Sequence, residues 1–107
     1  MKGIVFIDND EIGAADFKVI DESMGGIQGQ LTPTETYKKY KKQIQELFDK
    51  KGIANVDDFN FKIVLDDKTV LRPEGGIGIT DSSELDEIFV ESAGLDSKVI
   101  EKIVGGK

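Results

Sequence analysis

Gly3-Ile4-Val5-Phe6-Ile7 is an unbroken apolar, β-branched run, the pattern of a strand buried on both faces, and it stops at the polar cluster Asp8-Asn9-Asp10-Glu11. The cluster predicts a turn. Phe17, Val19 and Ile20 predict a second strand over 14–20, and the short connection makes an antiparallel hairpin the simplest pairing. A third strand-like piece alternates Ile27, Gly29 and Leu31 with Gln28 and Gln30, weakened by its glycines. Thr32-Pro33-Thr34-Glu35 then has the form of a capping box, with Thr as N-cap, Pro at the first helical position and Glu at the third. Tyr37, Tyr40, Ile44, Leu47 and Phe48 follow at helical spacing, with Lys38, Lys39, Lys42, Glu46 and Asp49 on the other side. Gly52 ends this helix, predicted over 33–51.

The second half opens on the cleanest alternation in the chain: Phe59, Phe61, Ile63 and Leu65 point one way, Asn60, Lys62 and Val64 the other. Asp66-Asp67-Lys68 predicts a hairpin turn into Thr69-Val70-Leu71, which Pro73 ends because proline cannot donate to a continuing ladder. Gly76 to Thr80 predicts another short strand. Asp81-Ser82-Ser83-Glu84 repeats the capping-box form, and the stretch from Leu85 to Ser92 suits a helical turn followed by a strand. Leu95, Val99, Ile100, Ile103 and Val104 predict a C-terminal helix capped by Asp96 and ended by Gly105. Together these elements predict an α+β fold in one compact domain over 1–107. It is a mainly antiparallel sheet with one long helix packed across one face and a shorter C-terminal helix.

One internal similarity stands out. Gly25-Gly26-Ile27 and Gly75-Gly76-Ile77 lie fifty residues apart, each after a hairpin with an acidic turn. Three identical residues in a chain with 12 glycines favour coincidence over duplication.

Composition narrows the chemistry. The chain has no cysteine and no histidine, which removes disulfides, thiolate nucleophiles, histidine-dependent triads and histidine- or cysteine-ligated metals. No catalytic residue, metal ligand set or cofactor is expected from what remains. Net charge is −7 and uneven: residues 1–31 carry −4, residues 32–53 carry +3 and residues 54–107 carry −6. A single arginine in so acidic a chain argues against nucleic-acid binding. No apolar run reaches the length of a membrane span and the N-terminus is too briefly apolar for a signal peptide, so a cytoplasmic location without membrane contact is the default expectation.

Three motifs resemble known sites, and each departs from its family at named positions. Asp8-Asn9-Asp10 after a buried strand is similar to the opening motif of haloacid dehalogenase-like phosphatases, which implies an aspartate nucleophile; Glu11-Ile12-Gly13 and the short chain do not continue the pattern. The same stretch resembles a calcium-binding EF-hand loop in Asp8, Asp10, Gly13 and Asp16, but Ile12 and Val19 stand where ligands are needed. Gly105-Gly106-Lys107 resembles the glycine-pair terminus of ubiquitin-like carriers, except that Lys107 follows the pair and a helix precedes it.

The candidate binding residues form two groups. Lys38, Lys39 and Lys42 lie on one basic helix in an acidic protein and suit an acidic protein partner; the plain alternative is a solvated face with Lys42 paired to Glu46. Arg72, with the Gly75-Gly76 bend, suits a carboxylate or phosphate, although Glu74, Asp66 and Asp67 are near enough in sequence to pair with it. The expected function is a non-catalytic binding or regulatory module, using the lysine face or a sheet edge for a protein partner or a homodimer. Two alternatives stand beside it: a small magnesium-dependent phosphoryl-group enzyme using Asp8, Asp10 and Asp66 or Asp67, and an anion-binding module at Arg72 and Gly75-Gly76.

Overall fold

The computed structural model describes residues 1–82, 84 and 86–105. Eight strands form one antiparallel sheet: β1 (Lys2–Ile7), β2 (Asp10–Asp16), β3 (Lys18–Asp21), β4 (Gly26–Pro33), β5 (Ala54–Asn55), β6 (Phe61–Leu65), β7 (Ile77–Asp81) and β8 (Ile88–Ser92). Helix α1 (Lys38–Lys51) is entered through a 3-10 turn at Glu35–Tyr37, and α2 (Ser97–Gly105) closes the described chain. The α+β class expected from the pattern is therefore observed.

Strand order is β5-β7-β8-β4-β2-β1-β6, with β3 also on β4. The sheet curls until β6, at one end, meets β7 near the other. One core fills it, centred on Val5, Ile27, Ile44, Ile63, Ile79 and Val90, all fully buried. The radius of gyration, 12.9 Å, is close to the value of about 13 Å expected for a compact chain of this length.

β2 starts four residues earlier than the apolar pattern predicts. Between Val5↔Gly13 and Phe6↔Glu11 the pairing with β1 slips by one, leaving Ile12 as an extra residue in a bulge. Ile12 and Gly13 are consequently both buried, so the alternation that would have marked the strand is broken. β3 continues β2 past a bend at Phe17: Ala15↔Leu31 and Lys18↔Gln28 keep one register along β4.

The capping box at Thr32 does not form. Thr32 and Pro33 are the last residues of β4, paired with Ala14 and Gly13. Thr34 stands at the helix start instead, and its hydroxyl donates to the Glu11 carbonyl at 2.7 Å, outside the helix. Sheet pairing thus claims two residues that local signals assign to the helix, which starts at Glu35. At the other end the expectation holds: Gly52 has φ 81° and donates to the Phe48 carbonyl at 2.6 Å.

Asp81, the N-cap of the second expected box, has its carboxylate engaged elsewhere. Asp81 ends β7 and is 1% exposed. Its carboxylate accepts from the Tyr37 hydroxyl at 2.6 Å and from the Gln45 amide at 3.3 Å. A buried carboxylate needs such donors, and here they come from the helix, so the group ties α1 to the end of β7. Burial, with Asp81 beside it, pushes the Tyr37 phenol far above its usual range. Ser83 and Leu85, named in the second capping box and the helical turn, lie outside the described residues; the strand expected beyond them is β8.

Phe59 precedes β6 and is half-buried, while Phe61, Ile63 and Leu65 carry the buried alternation. Asp66-Asp67-Lys68 turns as expected, and the returning stretch makes one bridge, Val64↔Val70. α2 is capped by Asp96, whose carboxylate accepts from the Val99 amide at 2.9 Å; Gly105 belongs to the helix, and Gly106 and Lys107 lie outside the described residues. Ile100 and Ile103 bury its apolar face next to β3. No helix among the described residues is long and apolar enough to cross a membrane.

Candidate functional site

The two Gly-Gly-Ile segments meet at one place. Ile27 of β4 and Ile77 of β7 both pair with Ser92, one on each side of β8. Just beyond, the two segments pair with the chain leaving β8: Leu95 N–H donates to the Gly25 carbonyl, and Gly75 N–H to the Ala93 carbonyl. Gly25 has φ 64°, and a Cβ on it would collide with the Leu95 backbone, so this position requires glycine. The two segments thus share one neighbour strand, β8.

A groove of about 430 Å³ runs over this end of the sheet. Its floor is made by Gly26, Gly76 and Gly78, and its walls by Ile20 and Met24 on β3 and the following turn, and by Ile53 and Val56 around β5. Missing side chains create the space and also let the far wall come close: a Cβ on Gly78 would run into Ile53, and one on Gly76 would stand 3.0 Å from Val56 Cγ1. Ile20, Met24 and Val56 are 59%, 66% and 40% exposed, three of the five large apolar side chains left exposed among the described residues. The charged residues lining the groove are Asp21, Asp57 and Glu91, with no lysine or arginine. Glu91 accepts from the Gln28 amide at 2.7 Å. The hydroxyl of Ser23, then the amide of Met24, hold the Asp21 carboxyl below its usual range. Ser92, at the groove's border, has a buried hydroxyl without a hydrogen-bond partner among the described residues.

Gly75 and Gly76 therefore belong to this groove, and Arg72 does not. Arg72 lines a second concavity, of about 420 Å³, with Asp8, Asn9, Asn60 and Lys62. It makes no ion pair with Glu74, Asp66 or Asp67; Asp67 pairs with Lys102 at 3.0 Å. The Thr69 and Lys102 contacts hold the Asp67 carboxyl down at about 2.

The lysines of α1 are divided in their engagements. Lys38 pairs with Glu35 at 3.2 Å and Lys39 with Asp10 at 3.4 Å, while Lys42 is exposed and has no ion pair among the described residues, with Glu46 or otherwise. Tyr40 also donates to Asp10, and this bond, followed by Lys39, lowers the Asp10 pKa. The carboxylates considered for magnesium are thus engaged separately, Asp10 by α1, Asp8 by Asn60 at 3.3 Å and Asp67 by Lys102. Among the described residues no three acidic side chains gather closely enough to hold a metal ion.

The polar and apolar lining of the groove comes from four stretches separated in sequence, 20–26, 53–57, 75–78 and 91–93, and only the repeated glycines mark it there. Compared with known proteins, the chain matches no family model, no curated protein and no solved structure.

Proposed function

We propose that this protein is a non-catalytic binding module whose groove beside β8 receives an aliphatic side chain on a positively charged segment of a protein partner. The observation that carries this reading is the gathering of Ile20, Met24 and Val56 around a glycine floor whose charged residues are all acidic. Exposed apolar side chains scattered singly need no explanation, but a cluster bordering a groove marks an interaction surface. Acidic residues at its border favour lysine or arginine next to the apolar anchor and disfavour anionic segments. The groove is also held open by paired backbone on both sides of β8, so little ordering is required on binding.

The test is a titration of isotopically labelled protein with a short leucine-centred peptide flanked by lysines, and with its glutamate-flanked counterpart. The lysine peptide should shift the amides of Gly26, Gly76, Gly78 and Glu91 and bind about tenfold or more tightly than the other. Met24→Ser should weaken it through the apolar wall, and Glu91→Gln through the charge. Equal binding of both peptides, or shifts elsewhere, would overturn the proposal. So would self-association that Met24→Ser abolishes, because the occupant would then be a second copy of the chain.

A further inference from the structure

Arg72 is the only guanidinium in a chain of net charge −7, yet it is exposed and forms no ion pair among the described residues. Its planar fork of donors is therefore open to an oxygen anion from solution. Lys62, half-buried on β6, also has no ion pair among the described residues, and its ammonium sits 4.9 Å over the Phe6 ring. Arg72 and Lys62 both line the concavity at the β1–β2 turn, together with Asn9 and Asn60.

The frame around these groups is fixed. Asp8 N–H donates to the Asn60 carbonyl at 2.9 Å, which ties the turn to the start of β6. On the other side, Leu71 is buried and its N–H donates to the Ile63 carbonyl at 2.9 Å, so the backbone that carries Arg72 is anchored one residue before it. We infer that this concavity is an anion site for a small carboxylate or phosphate, with Arg72 as the forked donor, Lys62 as the second charge and the Asn9 and Asn60 amides as neutral partners. A guanidinium matches two oxygens of either anion, and a nearby ammonium adds attraction without demanding one geometry. Asp8 also lines the space, with its carboxylate held by the Asn60 amide. Its charge opposes an anion, so the site is tuned to modest affinity.

Titration with inorganic phosphate, and separately with acetate, at constant ionic strength tests this. The expected result is a saturable shift of the Asn9, Asn60, Lys62 and Arg72 amides; the tighter of the two ligands identifies which anion the site prefers. Arg72→Ala should weaken binding at least about tenfold, and Lys62→Gln by a smaller factor, both with unchanged circular dichroism and melting. Asp8→Asn should tighten binding severalfold, an effect that a merely structural Asp8 would not produce. Absence of a saturable shift there, or an unchanged response in Arg72→Ala, would overturn the inference. Since neither ligand is a peptide, these results are independent of the groove.

Discussion

Beside β8 the surface is shaped by side chains that are missing, since glycines on the two stretches that flank β8 leave a trough lined by acidic and aliphatic groups. At the β1–β2 turn a concavity of similar size is shaped by side chains that stand out, two of them cations with no ion pair among the described residues. The first kind of site cannot be separated from the fold, because its glycines are also what lets neighbouring backbone pass. The second can be removed atom by atom without touching the core. Backbone-built and side-chain-built surfaces should therefore respond differently to substitution, and that difference can be measured.

Gly25→Ala should have the largest effect. A Cβ there meets the Leu95 backbone at a φ that disfavours any side chain, so urea denaturation should show a loss of roughly 3 kcal/mol together with loss of peptide binding. Little change in stability would mean that the groove is not backbone-built. Tyr37→Phe is the reference for damage remote from both sites. It removes one donor from the buried Asp81 carboxylate and should cost about 2 kcal/mol, while the folded variant keeps both ligand responses.

Gly78→Ala should cost about 1 kcal/mol, because the flexible end of Ile53 can turn aside, but doing so narrows the groove and should weaken peptide binding more than anion binding. Acid should weaken the fold in a defined window. Asp10, Asp21 and Asp67 all have folded pKa values below their ordinary ones, so the stability they contribute is complete above about pH 4 and is lost as the pH falls. For Asp67 the loss runs from 3.8 down to about 2, and a melting-temperature profile should be flatter there in Asp67→Asn. The smallest stability effect belongs to Arg72→Ala, expected within about 0.5 kcal/mol of the parent. A larger loss would show that Arg72 supports the fold, and the contrast between the two surfaces would then fail.

The reliable parts of the sequence are those where one local rule acts alone. The alternation of Phe61, Ile63 and Leu65 matches the burial of β6, the Asp96 cap forms, and Gly52 ends α1 in the left-handed conformation that glycine allows. Errors arise where sheet pairing competes with a local signal. Thr32 and Pro33 look like a helix start but continue β4, because Ala14 and Gly13 are available to pair with them. Asp81 looks like an N-cap but is drawn into the core by two donors, Tyr37 on the 3-10 turn and Gln45 on α1, forty-four and thirty-six residues away in sequence. Of the candidate site residues, Gly75 and Gly76 line the groove and Arg72 a different concavity, although the three are close in sequence, and Lys62 reads in sequence only as the polar side of a strand.

By itself the sequence determined the α+β class, the two helices, most of the strands and the exclusion of histidine and cysteine chemistry, because periodicity, capping and composition act over a few residues or over the whole chain at once. Only the tertiary structure decided the sites. β8 brings Gly26 and Gly76, fifty residues apart, to its two sides, and the return of the chain along β6, next to the β1–β2 turn, places Lys62 and Arg72 around one space. Register and strand order fix such neighbours, and both depend on which distant backbone groups find each other when the core closes.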